Sequence, residues 1–509
     1  MSTVTGAVTA AAPARSTAAA AARPRTAAIA AVVVLGSLLT VLDTTIVNVA
    51  LNRLAESFDA PLATIQWITT GYTLALATVT PVTAWAIGRF GTRRLYLTAL
   101  VLFVLGSTLA GLAWDAPSLI AFRVLQGLGG GMVMPVGMTV LVRAGDPART
   151  GRTMSVLGIP VLIGPLAGPV LGGWLVDHAS WRWVFLVNLP LGALALLLAA
   201  RLLPRGGGQG GRRLDLPGLL MLSPGLAALI YGLGAERGNP GGPGTLLPAL
   251  GGAALVAGFV VRALTAREPL LDLRLLRRRS FAAPAATIAL VGCGYFGSML
   301  LLPLYYQLVR GESATAAGLL GIPQALATGI SMQIAGRLTD RFAPGRIVLT
   351  GAATAATGFA AFAVQVAADT PFRHLIAALV VMGAGIGMTL MPAMAAAARS
   401  VAPADVPAAT TLLTIVQQVS GSVGTALMSV LLTGAMADRL PGAGGDGLAA
   451  LQALTAPARA VLAPGLAGAF RDTYGWAVSL LALALLPALL MSRRKPVQED
   501  PKSRQVRTS

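Results

Sequence analysis

Reactive and metal-binding side chains are scarce in this sequence of 509 residues. A single cysteine, Cys293, excludes an internal disulfide bond and a cysteine-based metal site. Only two histidines occur, so a histidine-rich metal site is excluded as well. No GxxxxGK[ST] phosphate-binding pattern is present, which argues against direct use of ATP. These absences predict a protein that is not an enzyme and has no catalytic residues, no metal and no cofactor.

Charged residues are also scarce. They make up 11% of the chain and hydrophobic residues 55%, with a mean hydropathy of +0.74, whereas soluble domains are about 25% charged. Apolar runs long enough to cross a bilayer alternate with short gaps that carry arginine. The net charge of +19 does not indicate a nucleic-acid partner, because the arginines are spread over alternate gaps. The predicted class is an all-α polytopic membrane protein, whose surroundings are the lipid bilayer.

Fourteen spans are predicted, and an even number places both termini on one side of the membrane. Most of the 38 lysines and arginines fall in the two tails and the even-numbered gaps. Positive charge marks the cytoplasmic side, so both termini are expected in the cytoplasm and the protein in the cell membrane. The spans are 27–50, 65–87, 95–114, 117–142, 153–176, 183–203, 215–234, 244–263, 281–307, 314–335, 347–367, 374–398, 409–435 and 472–492.

An internal repeat divides the chain. QGLGGGMVMP at 126–135 resembles MGAGIGMTLMP at 382–392, and AWAIGRF at 84–90 resembles GRLTDRF at 336–342. The repeat predicts two six-helix halves with two helices inserted between them. The expected organisation is a disordered cytoplasmic tail 1–26, an N-terminal half 27–203, the inserted pair with its loops 204–280, a C-terminal half 281–492 that includes an external loop 437–471, and a cytoplasmic tail 493–509.

Two opposite charges are predicted at membrane depth. Asp43 is the only acidic residue well inside a span, and Arg123 is the only basic one. A charge at this depth is costly, so it is paired, hydrated or functional. Protonation of Asp43 would weaken a link to Arg123, which gives a two-state element for proton coupling. The alternative is a structural Asp43 that holds its span to a neighbour.

The segment GIPVLIGPLAGPVLGGW, residues 158–174, is predicted to be a helix with one side-chain-free face. Gly164, Gly168 and Gly172 recur every fourth residue and let a neighbouring helix approach closely. Such a face suits the surface on which two halves of a transporter move; a generic helix contact is the alternative. The other members of the set are Gly158, Pro165, Pro169 and Gly173.

Two cytoplasmic loops are predicted to form a gate. A carboxylate such as Asp340 can cap a helix or pair with arginine in one conformation and release it in another. Anchoring of the topology is the alternative role for the arginines. The gate set comprises Arg89, Gly91, Arg93, Gly336, Asp340 and Arg341.

Polar and aromatic side chains that could line a substrate cavity are few in the sequence. For any one of them, packing or a position at the membrane interface is the alternative. The candidates are Asn48, Trp67, Tyr72, Gln126, Tyr295, Tyr305, Gln324 and Gln417.

Four of these motifs together resemble the drug:proton antiporters of the major facilitator superfamily, of the fourteen-span QacA/EmrB type. LDTTIVNVAL is similar to the first-helix signature, AFRVLQGLGGG to the fourth-helix motif, GIPVLIGPLAGPVLGGW to the antiporter motif and SWRWVFLVNLPLG to the start of the sixth helix. The resemblance implies a major facilitator fold and export of small lipophilic compounds by alternating access. It also implies that the proton gradient drives export and that Asp43 and Arg123 couple the protons. A monomer is expected.

The chain departs from the family pattern in two respects. Gly88 stands where the first cytoplasmic loop usually has an aspartate, and Ala84 where it usually has a glycine. The last six spans have no acidic residue at depth, so neutral, weakly cationic or anionic substrates are expected rather than dications. The rival functions are a proton-coupled symporter that imports a nutrient, which a sparse polar cavity disfavours, and a membrane receptor or scaffold that transports nothing.

Overall fold

The structure, a computed structural model, describes residues 14–145, 150–205, 213–233, 243–439 and 456–491. It is built from helices, and the N-terminal half contains ten of them. They are α1 Ala14–Phe58, α2 Leu62–Ile65, α3 Trp67–Val79, α4 Thr83–Phe90, α5 Thr92–Gly111, α6 Ala116–Ala144, α7 Thr150–Ser155, α8 Gly158–His178, α9 Trp183–Leu186 and α10 Asn188–Leu202. A 3-10 helix, Thr80–Val82, joins α3 to α4.

Two inserted helices follow, α11 Leu216–Leu233 and α12 Pro243–Thr265. A 3-10 helix, Leu273–Arg277, leads into the C-terminal half. That half contains α13 Arg279–Leu308, α14 Ala314–Leu338, α15 Pro344–Gln365, α16 Phe372–Arg399, α17 Val406–Arg439, α18 Ala456–Leu483 and α19 Leu485–Leu490.

Helices occupy all the predicted spans, but the count of fourteen stays a prediction. Within the described residues, 11 helical stretches are long and apolar enough to cross a membrane. The other three predicted spans are 65–87, 153–176 and 314–335. Span 65–87 is divided among α2, α3, the 3-10 helix and α4, because Pro81 at the junction has no N–H for an α-helical hydrogen bond.

Two predicted boundaries are wrong. The tail 1–26 was expected to be disordered, yet α1 begins at Ala14, because a run of alanines has the highest helix propensity. The external loop 437–471 is shorter, since α17 reaches Arg439 and α18 begins at Ala456. Leu466 and Phe470 of the predicted loop are buried in the C-terminal half, and this burial favours the helix. The predicted tail 493–509 lies outside the described residues.

The ends of the helices meet on two sides of the molecule. At the side where α1 begins, Thr26 Oγ1 donates to the carbonyl of Ala144 at the end of α6, at 3.5 Å. On the same side Arg279 Nε, at the start of α13, donates to the carbonyl of Leu490 in α19, at 3.1 Å. We call this side the terminal end of the molecule and the other side the far end.

The glycine face of α8 packs within the N-terminal half. A Cβ at Gly164 or Gly168 would collide with Val41 or Thr45 of α1, and one at Gly172 would lie 2.9 Å from Ile46 Cγ1. The close contact that the sequence predicts is present, but the neighbour is α1 and not the opposite half.

The contact of α8 with the opposite half uses another face of the helix. There a Cβ at Gly158 would meet Met332 of α14, and Leu162 Cβ lies 2.8 Å from a Cβ at Gly329. Nothing lies within 4 Å of a Cβ at Gly173. The side chains of Pro165 and Pro169 are outside the part of the chain that the structure describes.

A buried carboxylate fastens the inserted pair at the terminal end. Asp215, just before α11, accepts hydrogen bonds from the backbone N–H groups of Gly218 and Leu270 at 3.1 and 3.2 Å. Arg262 of α12 forms an ion pair with it at 2.7 Å. Burial raises the pKa of Asp215, but the hydrogen bonds from Arg262 and the two N–H groups outweigh burial and lower that pKa overall. The carboxylate therefore stays ionised and joins α11 to α12.

Substitution of Gly168 by valine should destabilise the protein, because the new side chain collides with Thr45 of α1. Overpacking of this kind costs about 1–3 kcal/mol. The matched control is Gly173→Val on the same helix, where a Cβ meets open space. Thermal unfolding of the purified proteins in detergent measures both, and equal melting temperatures for the two variants would contradict the packing described here.

Candidate functional site

Asp43 is fully buried in the N-terminal half and holds three helices together. One oxygen of its carboxylate, Oδ2, pairs with Arg123 Nη1 of α6 at 2.6 Å. The other, Oδ1, accepts hydrogen bonds from Gln126 Nε2 of α6 at 2.8 Å and from Asn188 Nδ2 of α10 at 3.1 Å. The exposed fractions of Asp43 and Arg123 are 0% and 1%. Both charges are therefore compensated by each other and by amides.

The guanidinium of Arg123 has partners besides Asp43. Its Nε donates to the carbonyl of Ile68 at 3.2 Å, and its Nη1 donates to Gln126 Oε1 at 2.7 Å. The ring of Tyr72 lies 4.1 Å from the guanidinium carbon, close enough for a cation–π interaction. Arg123 and Tyr72 both line a central cavity, whereas Asp43 lies behind them. Arg123 thus separates the carboxylate from the cavity.

Two members of this network were missed by the sequence analysis. Asn188 also donates to Ser107 Oγ at 3.1 Å, and Ser107 Oγ donates to the carbonyl of Phe185 at 2.9 Å. Asn188 stands within the SWRWVFLVNLPLG motif, where it is a polar side chain in an otherwise apolar run. That was the available signal, but only the tertiary packing of α1, α5 and α10 brings Asn188 to Asp43.

The central cavity has a volume of about 700 Å³ and lies between the two halves. The lining residues lie at the middle of their helices or toward the far end. Most of them carry a polar group, although the surface that they present to the cavity is largely apolar. They are Thr44, Asn48, Thr69, Thr70, Tyr72, Thr73 and Arg123 from the N-terminal half, Ile230 and Leu233 from α11, and Phe296, Leu300, Gln417, Gln418, Gly421, Ser422 and Thr425 from the C-terminal half.

Three of the eight predicted cavity residues, Asn48, Tyr72 and Gln417, lie on the cavity wall. The threonines of α1 and α3 were not predicted as cavity residues, because a threonine hydroxyl in an apolar helix can bond to a carbonyl of its own helix and so carries little signal. The polar face of α17 was detectable from spacing, since Gln418 and Ser422 are four residues apart and share one helix face.

The other five predicted cavity residues lie elsewhere. Tyr305 is buried in the C-terminal half, where its hydroxyl donates to the carbonyl of Ala367 at 2.7 Å. Gln126 belongs to the Asp43 network. Tyr295 packs beside Phe296 with ring centroids 5.1 Å apart. Trp67 contacts the ring of Tyr231, and Gln324 is buried in α14 beside Gly383 of α16. Helix packing within each half, and against α11 for Trp67, explains these positions.

Contacts between the halves close the cavity toward the terminal end. The hydroxyls of Thr139 in α6 and Thr410 in α17 are 2.9 Å apart. Gln333 Nε2 of α14 donates to the carbonyl of Ser155 in α7 at 2.6 Å. Ser155 also lies where a Cβ at Gly336 would be, so that α7 and α14 touch. The cavity is therefore open toward the far end and closed at the terminal end.

Asp340 supplies the outermost of these contacts. Its two carboxylate oxygens accept hydrogen bonds from the backbone N–H groups of Gly151 and Arg152 at 3.1 and 3.2 Å. These groups belong to the first turn of α7 in the opposite half. A carboxylate at a helix N-terminus is stabilised by the free N–H groups there. The predicted gate residue thus links the two halves in this conformation.

The first copy of the gate loop makes no equivalent link. Gly88 occupies the repeat position of Asp340, and a Cβ at Gly88 has nothing within 4 Å. The helix opposite, α17, has Pro407 as its second residue, where α7 has Gly151. Proline has no N–H to donate. Both the carboxylate and one donor are therefore missing on this side, which leaves a cavity of about 360 Å³ beside Gly88.

The remaining gate residues have local roles. Gly91 joins α4 to α5 with a φ of 81°, a conformation that glycine adopts without strain. Arg93 donates to the carbonyl of Ala200 and ties α5 to α10. Arg89 lines the 360 Å³ cavity, and Arg341 is exposed. These arginines thus do not cross from one half to the other in the described contacts.

Two helical halves around a central cavity, joined by contacts between the halves at one end, have the architecture of a membrane transporter built from two repeats. The apolar spans are those of a multi-pass membrane protein. The chain belongs to the Major Facilitator Superfamily, whose sequence model matches residues 33–425. The predicted resemblance and fold are confirmed, and the chain is a transporter and not an enzyme.

Its relatives include a multidrug resistance protein B homolog of Mycobacterium tuberculosis, 45% identical over 408 residues, which cover 79% of this chain and 76% of the relative. The puromycin resistance protein pur8 of Streptomyces alboniger is 31% identical over 503 residues, 97% of each chain. Among solved structures, the proton:xylose symporter XylE matches with a TM-score of 0.60 at 15% identity, over 91% of this chain and 95% of its own. This last similarity shows the fold alone.

Removal of either member of the buried pair should destabilise the protein strongly. Asp43→Ala or Arg123→Ala leaves the other charge unpaired in a buried position, at a cost of about 3–5 kcal/mol. The double variant should lose less than the sum of the two, because no unpaired charge remains. Denaturant unfolding of the four proteins in detergent measures this coupling.

The control for this cycle is the exposed pair Arg53 and Glu56 on α1, with exposed fractions of 60% and 66%. Such a pair contributes about 0–1 kcal/mol. Additive losses at Asp43 and Arg123 would show that the two side chains do not depend on each other.

Proposed function

We propose that this protein exports small lipophilic compounds from the cell in exchange for protons. The observation that carries the proposal is the buried ion pair of Asp43 and Arg123 directly behind the wall of a central cavity. The names of the relatives, a multidrug resistance protein and a puromycin resistance protein, support export of drugs. The proposed transporter is a monomer. It needs no cofactor, because the proton gradient supplies the energy.

The arginine distribution gives the orientation. Because the terminal end carries most of the basic residues, the proposed orientation has this end and both termini in the cytoplasm and the protein in the cell membrane. The far end faces the outside. The cavity is then open to the outside, and the contacts of Asp340 and Thr139 close it to the cytoplasm. This arrangement corresponds to the state that releases substrate and takes up a proton.

Asp43 is the proton-binding group in this scheme. A proton on Oδ2 removes the charge that holds Arg123 Nη1. The guanidinium retains the carbonyl of Ile68, Gln126 Oε1 and the ring of Tyr72, so its positive charge is not left without partners. These partners offset part of the lost ion pair, and protonation of Asp43 in this scheme allows Arg123 to change its position in the cavity wall.

The protonation state of Asp43 is transmitted through α1 and α8. Asp43 stands between Val41 and Thr45, the residues against which Gly164 and Gly168 of α8 pack. Thr45 Oγ1 also donates to the carbonyl of Gly164 at 3.0 Å. Because α8 in turn contacts α14 of the opposite half, a shift of α1 changes the contact between the halves. The two states thus differ in proton affinity, as exchange requires.

Exchange is tested in everted membrane vesicles that have been energised to an acid interior. A panel of lipophilic antibiotics and dyes is added one compound at a time, and dequenching of a pH-sensitive dye reports proton release. Wild-type vesicles should release protons with some compounds, whereas Asp43→Asn should release none, because this variant cannot ionise. The control is Glu56→Gln, which removes an exposed carboxylate from the same helix and should behave as the wild type.

Three results would revise the proposal. Undiminished release by Asp43→Asn would remove Asp43 from the proton path and leave exchange intact. Loss of release in Glu56→Gln as well would indicate an effect of net charge. No release with any compound, from protein shown to be folded, would reject lipophilic export.

A proton-coupled symporter that imports a polar solute is the second candidate. The polar cavity wall, with its threonines and with Gln417 and Gln418, favours it, because recognition of a polar solute needs many hydrogen-bonding groups. Right-side-out vesicles distinguish the two. A symporter takes up protons together with external solute, whereas an exporter of the proposed kind does not.

Alanine at position 340 should open the cytoplasmic side. Asp340→Ala removes both acceptors for the N–H groups of α7, so the closed gate loses stability relative to the open one. With Cys293→Ser as background, Thr139→Cys places a thiol at the closed contact. Its labelling by an impermeant maleimide in everted vesicles should become several-fold faster in Asp340→Ala. Asp438→Ala, exposed at the other end of α17, is the control, and equal labelling rates would exclude a gating role.

A further inference from the structure

Helix α11, one of the two inserted helices, forms part of the cavity wall. Ile230 and Leu233 in its last turn line the cavity. The other apolar side chains of the described lining are Phe296 and Leu300 of α13. Two of the four large apolar side chains of the described lining therefore come from a helix outside both six-helix halves.

The position of α11 explains how it reaches the cavity. It packs against α3 of the N-terminal half and against α17 of the C-terminal half, so that it covers the seam between the halves on this side. Ser223 Oγ donates to the carbonyl of Thr78 at 2.6 Å, and the ring of Tyr231 lies 5.5 Å from that of Trp67. Both contacts fasten α11 to the N-terminal half.

The second inserted helix does not have this position. Only 17% of the apolar stretch of α12 is buried, and Leu247 and Val261 are 68% and 64% exposed. It packs against α11 and is joined to it through Arg262 and Asp215. Helix α12 thus supports α11 from the lipid side, and it offers apolar residues that lie away from the cavity.

The polar and apolar parts of the wall are contributed by different helices. Hydroxyl and amide groups come from α1, α3 and α17, and the one charged group of the described lining, Arg123, comes from α6. A compound that fits both parts is an amphiphile with a hydrogen-bonding head and an apolar group. Its head would face the polar helices while its apolar group contacts α11 and α13.

We infer that α11 is a selectivity element for this transporter. Ile230 and Leu233 contact the apolar group of the transported amphiphile, and their size sets the largest apolar group that the site accepts. The inference rests on the proposed export function. Its physical basis is that one methylene group more or less in an apolar site changes discrimination between substrates by about 10-fold or more.

The test uses rhodamine alkyl esters from methyl to octyl as a homologous series. Proton release in everted vesicles and binding to the purified protein are measured for each ester. The double variant Ile230→Ala/Leu233→Ala should shift the preference toward longer esters, with the octyl-to-methyl ratio rising about tenfold. Leu233→Trp should shift it the other way. The matched control Leu247→Ala/Val261→Ala removes apolar groups from the lipid-facing side of α12 and should leave the ratio unchanged.

The octyl-to-methyl ratio separates a change in selectivity from a general loss of folded protein. A misfolded or poorly inserted protein loses binding and proton release for all esters in the same proportion. An unchanged ratio in both α11 variants, with binding and release intact, would overturn the inference and leave the export function standing. The same would follow if the α12 control shifted the ratio as much as the α11 variants. Failure of the wild type to bind or exchange any ester would instead reject the proposed function, and the inference with it.

Discussion

A carboxylate and a guanidinium that are both shut away from water must neutralise each other, and much of the N-terminal half is arranged around this requirement. Asp43 and Arg123 meet at 2.6 Å, and the amides of Gln126 and Asn188 satisfy the second carboxylate oxygen. Because these residues belong to α1, α6 and α10, the pair fixes three helices relative to one another. Any change in the charge of Asp43 therefore affects the contacts of all three helices.

The mechanical consequence of this arrangement follows from the neighbours of Asp43 on α1. The side-chain-free face of α8 packs against Val41 and Thr45, which flank Asp43 on α1. The opposite face of α8 contacts α14. Because packed interiors resist deformation, a small movement of α1 is transmitted to α8 and α14. The link between the halves at Asp340 is present on one side and missing at Gly88 and Pro407. The contacts between the halves are thus asymmetric although the chain is built from a repeat.

The cavity has a mixed character that decides which compounds could use it. Its polar groups come from helices of both halves, while two of its four large apolar side chains come from α11. An inserted helix that covers the seam between the halves can vary in sequence without disturbing the Asp43 network, because its contacts with that network are indirect. The proposed contacts of α11 with substrate therefore lie apart from Asp43, although Arg123 and Tyr72 of its network also line the cavity.

The sequence by itself determined the membrane class, the two halves, the inserted pair and the two charges at depth. These follow from one-dimensional signals: runs of apolar residues, an internal repeat, and charges where few are tolerated. It predicted that α8 has a close helix contact but not which helix makes it, since a glycine pattern carries no information about its partner.

Only the tertiary structure decided the partners and the surroundings. It brought Asn188 to Asp43 across 145 residues, placed Tyr305 in the core of the C-terminal half, and gathered scattered threonines on one cavity wall. These outcomes depend on which helix faces which neighbour. Because 55% of the residues are hydrophobic, many helix faces resemble one another. The sequence pattern therefore does not specify which faces pack together, and tertiary packing decides it.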